Sequence, residues 1–482
     1  MDKNKKLRIA YLLIGILTFC YVFIRAFRVG ITYDEAYTLA EFVPLPVMDI
    51  INYSKVVANN HITNTLLIKL FFSFGNDSLF VARLPNVLAL ILYLYFAYKL
   101  TSRNLSSFVG ITCFLLLIVN PFVLDFFGLA RGYGLGFAFM MAALYFAVEN
   151  IKQFDRSLVT KSIVFASLSV ISNFSMLNFW IVLVFVLNVV PILQKDNIAF
   201  RKTLTRSVVL MLILVAILYE PVRKLKMNGA LFYGGDNDFY TDTLVSVTKY
   251  SMYTTDATPW VYVCLNVFLI IIIGVILASF FCNRTLITPK TVLITITILC
   301  ILSVIVQHYL LGTLYLIDRT ALFFYLLLIL SFSFAINDFS KVMQSVVGTL
   351  VLGGFLFNFA LNGNLYKTVL WSFDAHTAEI LEQMNEKGKR ENRILKFDYT
   401  WLVKSSVNYY TNRNKYPYLE NVKDPINYDA VNPDADFYIF LSKSVENTGY
   451  EARKSKIHDY NKTVLMNFPS ENIVVYKDLQ ID

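Results

Sequence analysis

Met1-Asp2-Lys3-Asn4-Lys5-Lys6-Leu7-Arg8 stands directly before an apolar run over 8–27, with Arg25 and Arg28 at its far end. Four cations ahead of about 20 apolar residues mark a helix that crosses a membrane with its N-terminus on the cytoplasmic side. A cleaved signal peptide is the weaker reading. No small-residue cleavage site follows, and the two arginines stand where one should be.

Outward from that run the pattern repeats. Apolar stretches of roughly 16–22 residues, the length that spans a bilayer core, recur near 81–100, 107–127, 132–149, 161–176, 178–194, 207–222, 260–281, 291–311, 320–336 and 342–361. With the first they make eleven expected spans. Only Leu177 and Asn178 separate the fifth from the sixth, and a single long helix there would invert the topology downstream. The short loops on the N-terminal side carry Lys99, Arg103, Lys152, Arg156, Lys161, Lys195, Arg201, Lys202, Arg206, Arg284, Lys290 and Lys341, while the opposite loops are longer and poorer in cations. That asymmetry follows the positive-inside rule. It sends the C-terminus and two long connections, 28–80 and 223–259, to the outer face.

The composition agrees. Of 482 residues 56% are hydrophobic and 16% aromatic, including 41 Phe and 30 Tyr, and only 16% are charged; ordinary soluble domains carry roughly 25% charge. Disorder and a disulfide scaffold are excluded. The net charge of +9 lies wholly in the membrane part, because residues 362–482 hold 16 Lys and Arg against 17 Asp and Glu. A nucleic-acid binder needs a basic soluble face, so nucleic acid is not a partner. Cys20, Cys113, Cys264, Cys282 and Cys300 all lie in or beside apolar runs, and no Cys or His spacing suggests a zinc cluster.

The expected fold is therefore a polytopic α-helical membrane protein, 1–361, followed by a small extracytoplasmic α/β domain, 362–482. In that tail 377–389 and 399–410 read as helices, and 393–397, 437–441 and 472–476 as strands. Its loops Tyr416-Pro417-Tyr418 and Asp424-Pro425 carry no nucleotide or metal motif. Acceptor binding and simple stabilisation both suit such a tail.

Several polar residues persist on the outer face. Ile31-Thr32-Tyr33-Asp34-Glu35-Ala36 opens the first connection; Thr32 and Glu35 have capping-box spacing, which explains Glu35 better than Asp34. A partly desolvated carboxylate there suits a general base. Asn59-Asn60-His61-Ile62-Thr63-Asn64 precedes an apolar stretch, 65–74, too short to span, and Arg83-Leu84-Pro85-Asn86 opens the second span. Asp125 and Ala130-Arg131-Gly132-Tyr133 follow the third, and Asp318-Arg319-Thr320 lies between the ninth and tenth. Ionisable groups in such apolar surroundings pair or line a cavity, so Asp125 and Arg131 could be simple ion-pair partners. Arginine at 83, 131 and 319 suits bidentate phosphate binding. Loop 223–259, with Tyr233-Gly234-Gly235-Asp236-Asn237-Asp238, reads as a flexible lid, and Glu220 is a spare acid.

In order and spacing these motifs resemble the GT-C glycosyltransferases over roughly residues 1–340, above all the protein O-mannosyltransferases and the lipid A aminoarabinose transferases. The resemblance implies a sugar donor linked to polyprenyl phosphate, an outer acceptor that is a protein, lipid A or polysaccharide, and inversion at the anomeric carbon. It implies that Asp34, with Glu35 as second acid, is catalytic. It assigns Arg83, Arg131 and Arg319 to the leaving phosphate, His61 to a neighbouring hydrogen bond, and Asp125, Tyr133 and Asp318 to the substrate site. His-Pro-Pro is frequent in that family, whereas His61 here precedes Ile62-Thr63. No cofactor is required, and a divalent metal stays open. A prokaryotic inner membrane is implied. The rival is a transporter or flippase of a lipid-linked saccharide, which predicts internal repeats and charges at the midplane; neither is seen in the sequence.

Overall fold

The computed structural model describes residues 3–282, 285, 287–423, 432, 434–441, 462–471 and 473–478. Arg284 and the Asp424-Pro425 loop lie outside the described residues. A helix covers each of the eleven expected runs. Eight of them, Lys5–Arg28, Leu79–Asn104, Gly132–Lys152, Phe174–Leu193, Pro259–Cys282, Pro289–Leu311, Asp318–Ile336 and Lys341–Asn362, are long and apolar enough to cross a membrane. The protein is an integral membrane protein. Leu17, Ile270 and Phe357 leave most of their surface uncovered on three of these helices, as side chains meant for lipid do. Gly132–Lys152 and Asp318–Ile336 are enclosed over most of their length instead.

Two runs are interrupted in ways that correct the expected spans. The run over 107–127 is a helix, Ser107–Ile118, and then a separate short one, Pro121–Asp125. The residue before proline avoids the helical region, and proline favours the first helical position. Asn120 caps the new start, accepting the Phe122 and Val123 amides at 3.0 and 3.4 Å. The pair near 161–194 is two helices, Arg156–Ser172 and Leu177–Leu193. They break at Asn173, whose side chain accepts the Ser175 amide at 3.2 Å, and not at Leu177-Asn178.

The connection over 223–259 is no loose lid. Helix Asn197–Met227 runs into it, Gly235 and Tyr315 form an antiparallel bridge, and 239–251 is helical. Glu220 is half-exposed and pairs with Arg223 at 2.7 Å one turn on, a surface contact.

Contacts divide the chain into two units: Met1–Phe27 with Leu45–Gly363, and Arg28–Pro44 with Asn364–Asp482. The first connection's opening segment, 28–44, thus folds with the C-terminal residues. Among the described residues that second unit holds five strands, β1 (Leu395–Tyr399), β2 (Leu419–Asn421), β3 (Phe437–Leu441), β4 (Lys462–Phe468) and β5 (Ile473–Asp478), in the order β2-β1-β3-β5-β4. β1 is parallel to β2 and β3, while β5 is antiparallel to β3 and β4. Helix Thr377–Glu391 matches the sequence reading. Helix Lys404–Asn414 starts later than expected because a 3₁₀ turn, Trp401–Val403, precedes it. β2 and β4 were not foreseen.

Inside the first unit a chain of amides fixes the turns at the ends of three helices. Asn86 donates to the Asn64 side chain at 2.7 Å and accepts the Leu135 amide at 3.1 Å, while Asn64 donates to the Ala130 carbonyl at 2.9 Å. Asn64 and Asn86 are fully buried. Asn86→Leu would leave the Leu135 amide without this acceptor and deny Asn64 its donor, a cost of about 1–3 kcal/mol per buried group. Thermal melting of the detergent-purified chain checks that loss.

Candidate functional site

Four residues singled out in the sequence come together in the helical unit. His61 and Arg131 occupy the positions just before helices Ile62–Phe72 and Gly132–Lys152. The loop bearing His61 is pinned by Asn60, which donates to the Ile50 carbonyl at 2.9 Å and accepts from Thr65 at 2.9 Å. Arg131 Nη1 donates to the Asn59 carbonyl at 3.1 Å. The His61 ring meets Tyr133 edge-on at 5.1 Å between centroids, and Tyr133 leans on Phe126 at 4.7 Å.

Gly132 explains the small residue between Arg131 and Tyr133. A Cβ there would lie 1.9 Å from the Ser172 carbonyl and 2.8 Å from the His61 side chain. Only glycine admits that approach.

The fourth residue is Arg319. Its Nη1 donates to the Tyr233 hydroxyl at 2.8 Å, and its guanidinium lies 4.4 Å from that ring's centroid. Tyr233 in turn donates to Asp318 at 2.7 Å. Asp318 takes a left-handed backbone, φ +49°, and its amide donates to Ser246 at 2.9 Å. Burial holds the Tyr233 phenol well above its ordinary pKa although Arg319 opposes it, so this hydroxyl keeps its proton.

Electrostatics join the two halves of the cluster. Burial first, then Arg131 and Arg319, holds the His61 imidazole well below its ordinary pKa. The ring is neutral at pH 7. Its Nδ1 sits 3.1 Å from the Ser172 carbonyl, which only accepts, so Nδ1 carries the hydrogen. Nε2 is then a bare acceptor, buried and without a protein partner among the described residues.

Two other singled-out residues have protein partners of their own. Asp125 is an ion-pair residue, as its apolar setting implied, and Arg25 is a partner of its carboxylate. Tyr253 donates to both carboxylate oxygens at 3.1 Å. Arg83 is buried and donates to the Ala26 carbonyl at 3.1 Å.

The expected acids belong to the second unit. Helix Tyr33–Glu41 starts with the capping box that the spacing predicted: Glu35 accepts the Thr32 amide and hydroxyl at 3.0 and 3.1 Å, and Thr32 accepts the Glu35 amide at 3.4 Å. Glu35 is fully buried, and its carboxylate secures the helix start. Asp34 stands on the same first turn, with its carbonyl accepting from Thr38 at 2.8 Å. Asp374, which the sequence reading passed over, accepts the Tyr33 amide at 2.6 Å. Tyr233 had been quoted only as loop, and Arg25 only as an argument against cleavage. Among the described residues, no three His, Cys, Asp or Glu side chains gather closely enough to hold a metal.

No family model matches the chain, and no curated protein does. Solved structures do. A crystal structure of ArnT from Cupriavidus metallidurans in the apo state is 11% identical, covers 98% of each chain and has a TM-score of 0.54. A second, of the same protein bound to undecaprenyl phosphate, is 10% identical over 97% of each chain, also at 0.54. The chain therefore has the ArnT-like GT-C fold over nearly its whole length.

The geometry separates stability from site chemistry. Asp125→Ala strands a buried guanidinium and should lower stability by about 3–5 kcal/mol, read as a fall in denaturation midpoint. Gly132→Ala should instead displace His61 and the Ser172 carbonyl, detected as a shift of the His61 ring signals in the NMR spectrum.

Proposed function

We propose that the protein is an integral-membrane glycosyltransferase that moves a sugar from a polyprenyl-phosphate donor to an extracytoplasmic acceptor hydroxyl or phosphate, with inversion. The observation that carries this reading is the gathering of cations about His61: Arg131 stands beside it at a helix start, and Arg131 and Arg319 both act on its buried ring. A buried and a half-buried guanidinium group beside a neutral imidazole suit a phosphate. The fold supports the same reading, since the similar ArnT structure is bound to undecaprenyl phosphate.

In the proposed reaction Asp34 takes the proton of an acceptor hydroxyl, and the resulting oxygen attacks the anomeric carbon from the face opposite the phosphate. The bond from that carbon to the phosphate oxygen breaks. Arg131 and Arg319 neutralise the charge that collects on the departing polyprenyl phosphate, with Arg83 and Tyr133 completing the phosphate surroundings. His61 Nε2, as an acceptor, receives a hydroxyl of the donor sugar. Glu35 acts through the helix start that presents Asp34, and Asp318 through Tyr233, which it orients beneath Arg319. The donor already carries its leaving group, so no nucleotide is needed on the outer face. The acceptor, whether protein, lipid A or polysaccharide, and the choice between hexose and pentose follow from parts of the substrate these residues do not contact. A flippase is not favoured, because the fold is shared with ArnT.

Purified protein, a radiolabelled polyprenyl-phosphate sugar and a cell-envelope extract test the proposal. Labelled acceptor should form, and Asp34→Asn should slow transfer about 10²–10⁴-fold, the usual loss for a general base. Arg131→Ala and Arg319→Ala should each cost about 10²–10³-fold in kcat. Transfer at the wild-type rate in Asp34→Asn would remove that residue from the mechanism, and an unconsumed donor would remove the enzyme reading.

A further inference from the structure

The turn that carries Asp34 is held from outside its own helix. Three successive amides ahead of Asp34 each have a side-chain acceptor: Ile31 donates to the Tyr410 hydroxyl at 3.0 Å, Thr32 to Glu35 at 3.0 Å, and Tyr33 to Asp374 Oδ2 at 2.6 Å. Amides at a helix start have no partner within the helix. Here two of the three acceptors come from the C-terminal part of the chain, more than 300 positions away in sequence.

Asp374 has a second contact, with Ser406, that bears on where its proton lies. Its Oδ1 lies 2.6 Å from Ser406 Oγ, and Ser406 Oγ also lies 2.9 Å from the Val403 carbonyl. A serine hydroxyl has one hydrogen, and the Val403 carbonyl can only accept. If Asp374 were ionised, Ser406 would have to choose between two acceptors. If Asp374 is a neutral acid protonated at Oδ1, it donates to Ser406, Ser406 donates to Val403, and Oδ2 still accepts Tyr33. Every contact is then satisfied. Asp374 and Ser406 are both buried, where an unmade bond is costly.

The surrounding charges agree. Tyr33, Asp34 and Glu35 of helix Tyr33–Glu41 and Ser406 of helix Lys404–Asn414 act on Asp374, while Lys404 acts on the neighbouring Tyr33 and Tyr410 on the Ile31 amide. Burial is the main cause that holds the Asp374 carboxyl well above its ordinary pKa; Ser406 and the Tyr33 amide oppose it, and Asp34 and Glu35 add to it.

We infer that Asp374 is a positioning residue for Asp34: as a neutral acid it clamps the first turn of helix Tyr33–Glu41, so that the C-terminal unit sets the geometry of the base. This rests on the role proposed for Asp34 above. It gives the C-terminal unit a task within the reaction.

Asparagine is the matching probe, because its carbonyl can accept Tyr33 while its amide donates to Ser406. In the full-length protein Asp374→Asn should keep kcat near wild type, and Asp374→Ala should lower kcat about 100-fold, the scale of a small misplacement, with the donor KM unchanged. A raised carboxyl pKa contributes stability below its unfolded value of about 4 that is lost as pH rises through the folded value. Wild-type kcat should therefore fall on the alkaline side, and the Asn variant should not share that fall. Two readouts need no turnover. Hydrogen exchange over residues 31–35 should quicken in Asp374→Ala and stay slow in Asp374→Asn, and an infrared band of a protonated carboxyl should vanish in both. Asn as damaging as Ala, or Ala leaving exchange at the wild-type rate, would overturn the inference. A wild-type protein without transferase activity but with the expected exchange and infrared pattern would overturn the enzyme reading while leaving the clamp.

Discussion

The buried contact of Arg25 with Asp125 is the interaction on which the helical unit turns. An ion pair in apolar surroundings is costly to form and much costlier to break from one side, so both ends must stay where they are. Arg25 belongs to the end of the first helix and Asp125 to the short helix Pro121–Asp125. Tyr253 joins from the segment after helix Ser246–Ser251. Three remote parts of the chain are therefore tied at one carboxylate. The turn that follows leaves little freedom: Gly128 donates to the Asp125 carbonyl at 3.0 Å, Arg131 to the Leu129 carbonyl at 2.8 Å, and Asn64 holds the Ala130 carbonyl. Arg131 stands where it does because Asp125 cannot move.

From that anchor the character of the site follows. His61 and Arg131 both stand at the starts of helices, Ile62–Phe72 and Gly132–Lys152, whose N-terminal amides carry partial positive charge. Arg319 adds a full one. Burial first, and then the same cations that would bind an anion, disfavour a proton on His61 and leave it an acceptor. One arrangement thus offers donors for phosphate and an acceptor for a hydroxyl, the two functional groups of a sugar phosphate.

The architecture was largely legible from residue patterns because a membrane helix is written in one contiguous run of apolar residues. The interruptions were legible in principle too, since Asn120-Pro121 is a cap followed by a favoured first helical residue. What the sequence could not supply were pairings across long separations. Asp125 finds Arg25 across 100 positions, a pairing no local pattern marks. Arg25 read as an obstacle to cleavage because nothing local marks it as half of a pair. Short strands escaped for a related reason: β2 has three residues, and β4 mixes Lys462, Thr463 and Asn467 with its apolar ones. The motif residues His61, Arg131 and Arg319 were found by their order, but their convergence needed the fold.

The neighbouring acids Asp34 and Glu35 show how adjacency in sequence misleads about role. Both are carboxylates at the start of one helix, and a pattern treats them as a pair. A helix turns about 100° per residue, so the two side chains leave the helix in different directions and meet different surroundings. Glu35, at the third helical position, reaches back to Thr32, and two hydrogen bonds to one oxygen fix it in a fully buried place. A carboxylate so engaged stabilises the turn. Asp34, at the second position, lies on the turn that Glu35, Tyr410 and Asp374 together immobilise. The division of labour is then set by helix geometry alone: one acid builds the support, and the other is what the support presents.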